Sequence, residues 1–483
     1  MFTGDLLPAR ESSGSPDCGG RPAAWTDAPR EETIGRSEEN RPITVILTGT
    51  EGAPLRVLVM AGQHGDERAA VRAVRRLASA GGPLSAGASP AAGSPMEIAL
   101  VPEVNPDGRA RKTRRNGREI DLNRDHQRLR AAETSALHGF VRRWRPHLIV
   151  DVHNYPPRRK LLSRQKLVHC HDLFVDIPTN PNLTDGPLGL LTRELFRRVV
   201  PAINRRGYRC ERYTLINASG RVRHSTPDIS DARNGLALRY GIPTVLLEGR
   251  QPTRHDLSAE RRRLQRALQA AILLVLRWAA DNRQRLTNVG SGTAATALRS
   301  RYIAGSRPRT LAFRRISSGI VQPVPLPGKY TPRLEVTLKA PLPPAYAVPR
   351  ALPNLCELLV RHGFVPHGAG PDERIWTQRY HLDTVIPSRT PHRMPRRLIL
   401  HRTAQHSALH QYLIFPVAPE SGHTLAVYLE PQSKYGLYRY PETGLTLNSG
   451  SVYPVLRVVT GNPLRRCAAT PDAVGQGRTP DRP

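Results

Sequence analysis

The segment Leu55–Leu77, LRVLVMAGQHGDERAAVRAVRRL, decides the fold of this chain. Its first seven residues form an apolar, partly β-branched run, which predicts a short buried strand. From Glu67 onward the apolar residues recur at helical spacing, which predicts an amphipathic helix. The short polar turn between them lies at the carboxyl end of the strand, where open α/β sheets bind their ligands.

The same alternation of strand and helix continues on both sides of this segment. It predicts a mixed, mostly parallel central sheet with helices on both faces, an α/β fold. The further strands and helices are expected at Pro42–Gly49, Glu97–Pro102, Leu129–Trp144, His147–Val152, Leu188–Arg205, Pro243–Leu247 and from Ser258 to about Arg285.

The length of 483 residues predicts more than one domain. Beyond residue 310, short strand-like runs such as His423–Leu429, broken by Pro and Gly, predict a smaller, mainly β domain. The expected order is a disordered tail (1–40), an α/β domain (41–286), a linker (287–310), a mainly β accessory domain (311–460) and a second disordered tail (461–483).

The charge of the chain is strongly positive, with 72 Lys and Arg against 40 Asp and Glu and a net charge of +32. Only six of these 72 cations are lysines, which indicates a compositional bias spread over the whole chain rather than a concentrated nucleic-acid site. Aromatic residues make up 5%, few for stacking on single strands. We therefore expect anionic partners or substrates but no specific nucleic acid.

Cysteine usage and apolar runs exclude several further classes. Five scattered cysteines without a Cys-x-x-Cys pair predict neither a disulfide framework nor a cysteine zinc site. The first twenty residues lack the pattern of a signal peptide, so a cytoplasmic location is expected, with export left open. The longest apolar run, Leu268–Ala280, is too short and too charged to span a membrane. Nothing indicates an oligomeric state.

Metal-ligand residue types follow two of the expected strands. His64 and Glu67, three residues apart, occupy the turn after the first strand, and His153 ends the run HLIVDV. Together they could leave a fourth position open for water, as catalytic zinc sites do. Glu67 could instead be a helix-start acid favoured by the helix dipole. Asp151 could support His153 or cap the strand.

Two more groups of polar residues follow strands. Asn105-Pro106-Asp107-Gly108 leads into Arg114, Asn116 and Asp121-Leu122-Asn123-Arg124, and arginine with a neighbouring Asn suits a carboxylate. A basic loop in an arginine-rich chain is the alternative. Glu248 ends the strand PTVLL and could serve as a general base beside a metal or form an ion pair with Arg250.

Taken in order, these motifs resemble the carboxypeptidase A-like zinc metallocarboxypeptidase family, over about 40–285. The shared order is His-x-x-Glu, Asn-Pro-Asp-Gly, Arg-x-Asn before Asp-Leu-Asn-Arg, then a His and a Glu after strands. The stretch from Pro341 to Val458 resembles the extra C-terminal β domain of larger bacterial members. One family feature is missing, because Thr226–Asp228 holds no tyrosine where the family has a mobile one.

The resemblance implies a role for each matched residue. One Zn²⁺ would be bound by His64, Glu67 and His153, and Glu248 would be the general base toward a metal-activated water. Arg114 would polarise the scissile carbonyl, with Arg111 and Arg115 as rival candidates. The terminal carboxylate of the substrate would meet Asn123 and Arg124. Tyr155 would line the cleft, or else be a core tyrosine.

These roles predict a zinc-dependent metallocarboxypeptidase that hydrolyses the amide bond next to a free C-terminal carboxylate. The close alternative is an amidohydrolase similar to succinylglutamate desuccinylase and aspartoacylase, acting on small N-acyl amino acids. The missing tyrosine favours the alternative, whereas the extra β domain and the complete Asn-Pro-Asp-Gly motif favour the peptidase. A non-catalytic basic binding protein is the hypothesis from another class.

Overall fold

A computed structural model provides the structure of this chain. It describes residues 26–79, 82–84, 95–157, 166–216, 222–224, 226–252, 257–290, 295–305, 309–326, 330–331, 333–371, 373–419 and 422–459. The strands of the first half are β1 (Thr26–Arg36), β2 (Pro42–Gly49), β3 (Leu55–Ala61), β4 (Met96–Val101), β5 (Leu148–Tyr155), β6 (Leu167–His169), β7 (Leu173–Asp176), β8 (Cys210–Arg212), β9 (Thr214–Ile216), β10 (Val222–His224) and β11 (Thr244–Arg250).

The helices are distributed over both halves. None of those in the described ranges is long and apolar enough to cross a membrane. They are α1 (Arg68–Ala78), α2 (Pro106–Arg111), α3 (Ala132–Trp144), α4 (Pro181–Thr184), α5 (Pro187–Arg205), α6 (Ala232–Tyr240), α7 (Ser258–Asp281), α8 (Arg283–Thr287), α9 (Pro353–Arg361) and α10 (Gly422–Leu429), with 3-10 turns at Leu122–Arg124, Leu437–Arg439 and Pro441–Thr443.

The second half consists mainly of antiparallel strands. They are β12 (Ala295–Ile303), β13 (Thr310–Arg315), β14 (Val321–Pro325), β15 (Tyr330–Thr331), β16 (Arg333–Pro341), β17 (Ala345–Pro349), β18 (His367–Gly368), β19 (Arg374–Ile386), β20 (Arg397–Ala408), β21 (Tyr412–Pro416), β22 (Ser451–Val452) and β23 (Leu456–Val458).

The central sheet has eight strands in the order β1-β2-β4-β3-β5-β11-β7-β8. The pairs β4–β3, β3–β5, β5–β11 and β7–β8 are parallel and the other three are antiparallel. Helices α1, α5 and α7 bury one face of the sheet, and α3 and α6 bury the other. The expected fold class, a mixed and mostly parallel sheet followed by a mainly β region, is confirmed.

The expected disordered tail over residues 1–40 is wrong from residue 26 onward. Strand β1 pairs antiparallel with β2 at the edge of the central sheet. Its sequence is polar because an edge strand exposes most of its side chains, and Ile34 turns into the core. Residues 1–25 and the tail expected at 461–483 lie outside the described residues.

The expected linker over 287–310 is also wrong where the structure describes it. Strand β12 occupies Ala295–Ile303 and pairs along its whole length with β16. Strand β13 pairs with β6 of the first half, and β15 pairs with β10. The two halves therefore share sheets across this segment, while the domain limits at 286 and 311 stay predictions.

The run around His423–Leu429 forms helix α10 instead of the expected strand. All eight residues of this helix are buried, so it has no polar face and its apolar run carries no helical period. The Thr424 hydroxyl donates to the Leu238 carbonyl of α6 at 2.9 Å, which ties the accessory region to the first half. Tertiary burial accounts for the difference.

A buried carboxylate organises the core of the accessory region. Glu430 is fully buried and accepts hydrogen bonds from the hydroxyls of Tyr346 (2.6 Å) and Tyr380 (2.5 Å). It also forms an ion pair with Arg457, whose side chain is 3% exposed. Three donors on three strands thus converge on one side chain that follows α10.

Removing the charge of Glu430 is expected to destabilise this region strongly. The substitution Glu430→Gln leaves the buried Arg457 guanidinium without its counterion, which costs about 3–5 kcal/mol of unfolding free energy. The matched control is Glu335→Gln, because Glu335 pairs with Arg301 at 2.6 Å on the surface, where a pair contributes about 0–1 kcal/mol. Chemical unfolding of both variants measures the difference, and equal losses would contradict the expectation.

Candidate metal centre

Three neighbouring parallel strands bring the predicted site residues to one edge of the central sheet. His64 and Glu67 occupy the turn between β3 and α1, next to β5, which carries His153. On β11, Glu248 pairs in register with His153. Because in-register residues of adjacent parallel strands point to the same face, His153 and Glu248 share one face of the sheet, at the edge where His64 and Glu67 follow β3.

The ligand atoms of His64, Glu67 and His153 converge within 4.8 Å of one another. The two carboxylate oxygens of Glu67 lie 2.6 Å from His64 Nδ1 and 2.9 Å from His153 Nδ1. The two Nδ1 atoms lie 3.2 Å apart, and all three side chains are buried. Two imidazoles and one carboxylate form a donor set of the kind that catalytic zinc uses.

Two further carboxylates determine which nitrogen of each imidazole faces the centre. Asp121 Oδ1 lies 3.2 Å from His64 Nε2, and Asp151 Oδ1 lies 3.0 Å from His153 Nε2. Carboxylates only accept hydrogen bonds, so with a metal at the centre each Nε2 would face its carboxylate as a donor and each Nδ1 would present its lone pair to the metal. Metal-binding histidines are held by carboxylates in this way.

The converging lone pairs fit a cation. Burial opposes a charged imidazole at both histidines, but Glu67 and Asp121 raise the pKa of His64, and Asp151 and Glu67 raise the pKa of His153 well above its usual value. Burial also opposes ionisation of Glu67, but the two imidazoles hold its pKa well below normal. Positive charge is favoured at this point, as a bound metal would supply it.

The Asn-Pro-Asp-Gly motif supports the turn that carries His64. The Asn105 side chain caps α2 by accepting from Gly108 N at 2.8 Å and donates to the Gln63 carbonyl at 3.2 Å. Gly65 packs so closely on Gly108 that a Cβ at Gly65 would lie 1.9 Å from the Gly108 carbonyl carbon. The motif therefore positions the metal-ligand turn.

Among the three candidate arginines, Arg114 is the one that lines the cleft. Its Nε donates to Asp121 at 3.0 Å, and one terminal nitrogen lies 3.4 Å from His64 Nδ1. Arg111 instead pairs with Glu39, and Arg115 donates to the Glu119 carbonyl at 3.1 Å. Asp121 thus holds both a ligand histidine and the arginine beside it.

The other predicted residues line the same cleft, which has a volume of about 350 Å³. Asn123 and Arg124 border it, and Glu248 lies in its wall. The Asn123 side chain is anchored, because its Oδ1 accepts from Ala232 N at 2.8 Å. Arg250, offered as an ion-pair partner of Glu248, pairs with Glu260 of α7 at 2.6 Å.

Two tyrosines contribute to the cleft in different ways. Tyr155 borders it, but its side chain is buried and its hydroxyl donates to the His171 carbonyl at 2.6 Å. The hydroxyl of Tyr155 is therefore part of the core, as expected for a core tyrosine, although the residue borders the cleft. Tyr213 also lines the cleft and follows β8, fifteen residues before Asp228. The family resemblance places a mobile tyrosine near Thr226, so it gave no indication of Tyr213.

A charge-balanced arginine lies at the base of the cleft. Arg233 is 2% exposed and pairs with Asp176 at 2.5 Å and with Asp231 at 3.3 Å. It also donates to the Thr226 carbonyl at 2.9 Å. Two carboxylates thus compensate the charge of this cation.

Comparison with known proteins agrees with the geometry. The family model for zinc carboxypeptidases matches residues 26–139. Carboxypeptidase 2 of Trichophyton tonsurans is 25% identical over 338 residues, 66% of this chain and 62% of its own length. Carboxypeptidase 2 of Trichophyton rubrum is 25% identical over 317 residues, 63% of this chain and 58% of its own. The chain thus spans less than two thirds of the length of these curated relatives.

A solved structure can be superposed on about half of this chain. The metallo-carboxypeptidase from Burkholderia cenocepacia is 21% identical and covers 51% of this chain and 63% of its own, with a TM-score of 0.38. The family match begins at the edge strand β1 and includes His64, Glu67, Arg114, Asn123 and Arg124. Residues 26–139 thus match the zinc carboxypeptidase family model, which confirms over that range the resemblance found in the sequence.

Proposed function

We propose that this chain is a zinc-dependent metallocarboxypeptidase that hydrolyses the amide bond next to a free C-terminal carboxylate. One observation carries the proposal: the ligand atoms of His64, Glu67 and His153 converge within 4.8 Å. Glu248 lies on the strand next to His153 and in register with it. A cleft with arginines at its border opens beside them. The names of the curated relatives support the same activity.

One zinc ion would be held by His64, Glu67 and His153, because their ligand atoms converge and the raised imidazole pKa values show that positive charge is favoured there. When bound, zinc acts as a Lewis acid that makes water more acidic and a substrate carbonyl more electrophilic. Asp121 and Asp151 would then keep both imidazoles in the tautomer that exposes Nδ1.

Glu248 would act as the general base and then as the general acid. It would take the proton of the attacking water and return it to the leaving amine nitrogen. Its position in the cleft wall, one strand from His153, places the carboxylate beside the ligand cluster. Arg114, held by Asp121, would stabilise the negative charge that develops on the carbonyl oxygen.

Asn123 and Arg124 would bind the terminal carboxylate of the substrate. Arginine pairs with a carboxylate through two parallel hydrogen bonds, and the amide of Asn123 adds a donor. Both residues border the cleft on the loop that also carries Asp121, so the carboxylate, the carbonyl and the general base would be aligned by one loop and one strand. Tyr155 would contribute only its ring to the wall.

Substitution of Arg124 tests the carboxylate recognition. With Arg124→Gln we expect kcat/KM for a free-acid peptide to fall about 10- to 100-fold, because charge-assisted hydrogen bonds contribute about 1.5–3 kcal/mol. For the same peptide with a C-terminal amide, the substitution should have no further effect. Arg130→Gln, in the same loop but exposed outside the cleft, is the control. An unchanged preference for the free acid in Arg124→Gln would contradict the assignment.

A substrate panel distinguishes the proposed activity from the alternatives. Peptides with varied C-terminal residues, murein peptides and N-acyl amino acids should be compared with the purified chain loaded with zinc. Hydrolysis of C-terminal residues from peptides supports the carboxypeptidase. Hydrolysis of N-acyl amino acids alone would support the amidohydrolase, and hydrolysis of none, together with salt-dependent binding of RNA or DNA, would support the basic binding protein.

A further inference from the structure

A line of buried side chains runs from the metal-ligand cluster into the core. Asp151 Oδ1 lies 3.0 Å from His153 Nε2 and accepts from Gln63 Nε2 at 2.8 Å. Gln63 Oε1 lies 2.8 Å from His126 Nε2, and His126 Nδ1 lies 3.1 Å from His138 Nε2. All five side chains are at most 1% exposed. The family comparison assigns no role to Gln63, His126 or His138.

The chemistry of these groups determines the position of the first hydrogens. The carboxylate of Asp151 only accepts, so Gln63 must present its amide nitrogen to it and its oxygen to the other side. His126 therefore carries its hydrogen on Nε2 and donates to Gln63. With the amide reversed, the Gln63 oxygen would face a carboxylate and its nitrogen would face the N–H of His126.

The line continues with the same direction of donation. Neutral His126 accepts at Nδ1 from His138 Nε2, and His138 Nδ1 accepts from the Tyr240 hydroxyl at 2.9 Å. Burial lowers the pKa of His126 to about 4 and that of His138 well below its usual value. Burial raises the pKa of Tyr240 to about 12. His126, His138 and Tyr240 are therefore neutral near pH 7, as this single set of tautomers requires.

We propose that His126 is a positioning residue for the metal ligand His153, acting through Gln63 and Asp151. Its N–H fixes the orientation of the Gln63 amide, and the fixed amide in turn holds the Asp151 carboxylate against the ring of His153. An unpartnered buried amide oxygen is unfavourable, so loss of the His126 donor would allow the amide to rotate. Partners of this kind change metal affinity about 10- to 100-fold.

The inference rests on the proposed zinc binding, and zinc affinity tests it without an activity assay. In a chelator competition with the full chain, His126→Leu should bind zinc about 10-fold more weakly than wild type. The matched control is His362→Leu. His362 is equally buried, and its ring lies 5.6 Å from that of His138, but its Nε2 contacts the Gln127 carbonyl at 3.0 Å, outside the line. The zinc affinity of His362→Leu should stay within twofold of wild type.

Two further variants separate positioning from packing. His126→Gln retains a side-chain N–H toward Gln63 and should recover most of the affinity. Gln63→Met removes the intermediate link, so the double variant with His126→Leu should bind no more weakly than Gln63→Met alone. A merely structural His126 would lower thermal stability without this rescue or this non-additivity. If His126→Leu does not fold, Gln63→Met tests the same link, because it should also bind zinc about 10-fold more weakly than wild type.

The results that overturn the inference are distinct from those that overturn the function. If wild type binds zinc and either His126→Leu or Gln63→Met binds it with equal affinity, only the positioning role is overturned. Additive losses in the double variant also overturn it. Wild type that binds no zinc overturns the proposed metal centre and this inference together.

Discussion

Replacing Glu248 by glutamine is expected to lower kcat about 10³-fold while the fold and the zinc content stay unchanged. Glutamine has the shape of glutamate but cannot take the proton of the attacking water. Glu248 lies in the cleft wall in register with His153 but is not one of the three converging residues, so we expect the ligand cluster to stay unchanged. The loss should fall on kcat, because substrate binding would depend on the loop that carries Arg124.

The matched control is Glu260→Gln. Glu260 lies near the start of α7 and pairs with Arg250, two residues after Glu248, but it does not line the cleft. Activity of this variant should stay within twofold of wild type, measured on the same peptide with zinc content determined for each preparation. A Glu248→Gln variant that retains more than a tenth of the wild-type kcat would assign the base to another group.

The α/β part could be predicted from sequence because its elements are buried in a regular way. β3 and β5 are covered on both faces, so they appear as continuous apolar runs, and α1 shows one apolar stripe. Their carboxyl ends meet at one edge of the sheet, which explains why His64, His153 and Glu248 could be identified as neighbours without a structure.

Two of the three wrong expectations share a physical reason. β1 is an edge strand whose pairing with β2, not its own composition, makes it a strand. α10 is a helix because the accessory region surrounds it completely, and a helix buried on all sides has no amphipathic period to detect. Local patterns report one-sided burial well, but they do not report pairing partners or complete enclosure.

Within the site, the residues that orient others could not be assigned from the sequence. Asp121 is 57 residues from His64 in the chain, and Gln63 is 88 residues from Asp151, yet both pairs are in hydrogen-bond contact. Whether Arg111 or Arg114 faces the cleft depends on competing carboxylates, Glu39 for the first and Asp121 for the second. Which arginine faces the cleft is therefore determined only when loops distant in the sequence come together in the fold.

The accessory region supports the loop after Arg124. Gln127 accepts at its side chain from the Tyr440 hydroxyl (3.1 Å) and at its carbonyl from His362 (3.0 Å), and Arg361 donates to the Leu129 carbonyl at 2.9 Å. One apolar core contains residues from both halves. The β region thus stabilises the segment that would hold the substrate carboxylate.

Removing the metal is expected to abolish hydrolysis and to lower stability, and zinc should restore both. The His64 and His153 Nδ1 atoms lie 3.2 Å apart with Glu67 between them, so the empty cluster must take up protons instead of zinc. Because nearby carboxylates raise the pKa of both imidazoles despite burial, protons compete at neutral pH, and zinc affinity should rise with pH.

The stability change follows from mass action. At free zinc 1,000-fold above its dissociation constant, the free energy of unfolding rises by about 4 kcal/mol, and the thermal midpoint climbs with the logarithm of zinc concentration. His64→Ala should abolish this dependence, whereas His171→Ala, a buried histidine outside the ligand cluster, should keep it. Calorimetry at several zinc concentrations, with activity before and after chelation, measures both effects. Full activity after complete chelation, with a midpoint indifferent to zinc, would show that these three residues hold no functional metal.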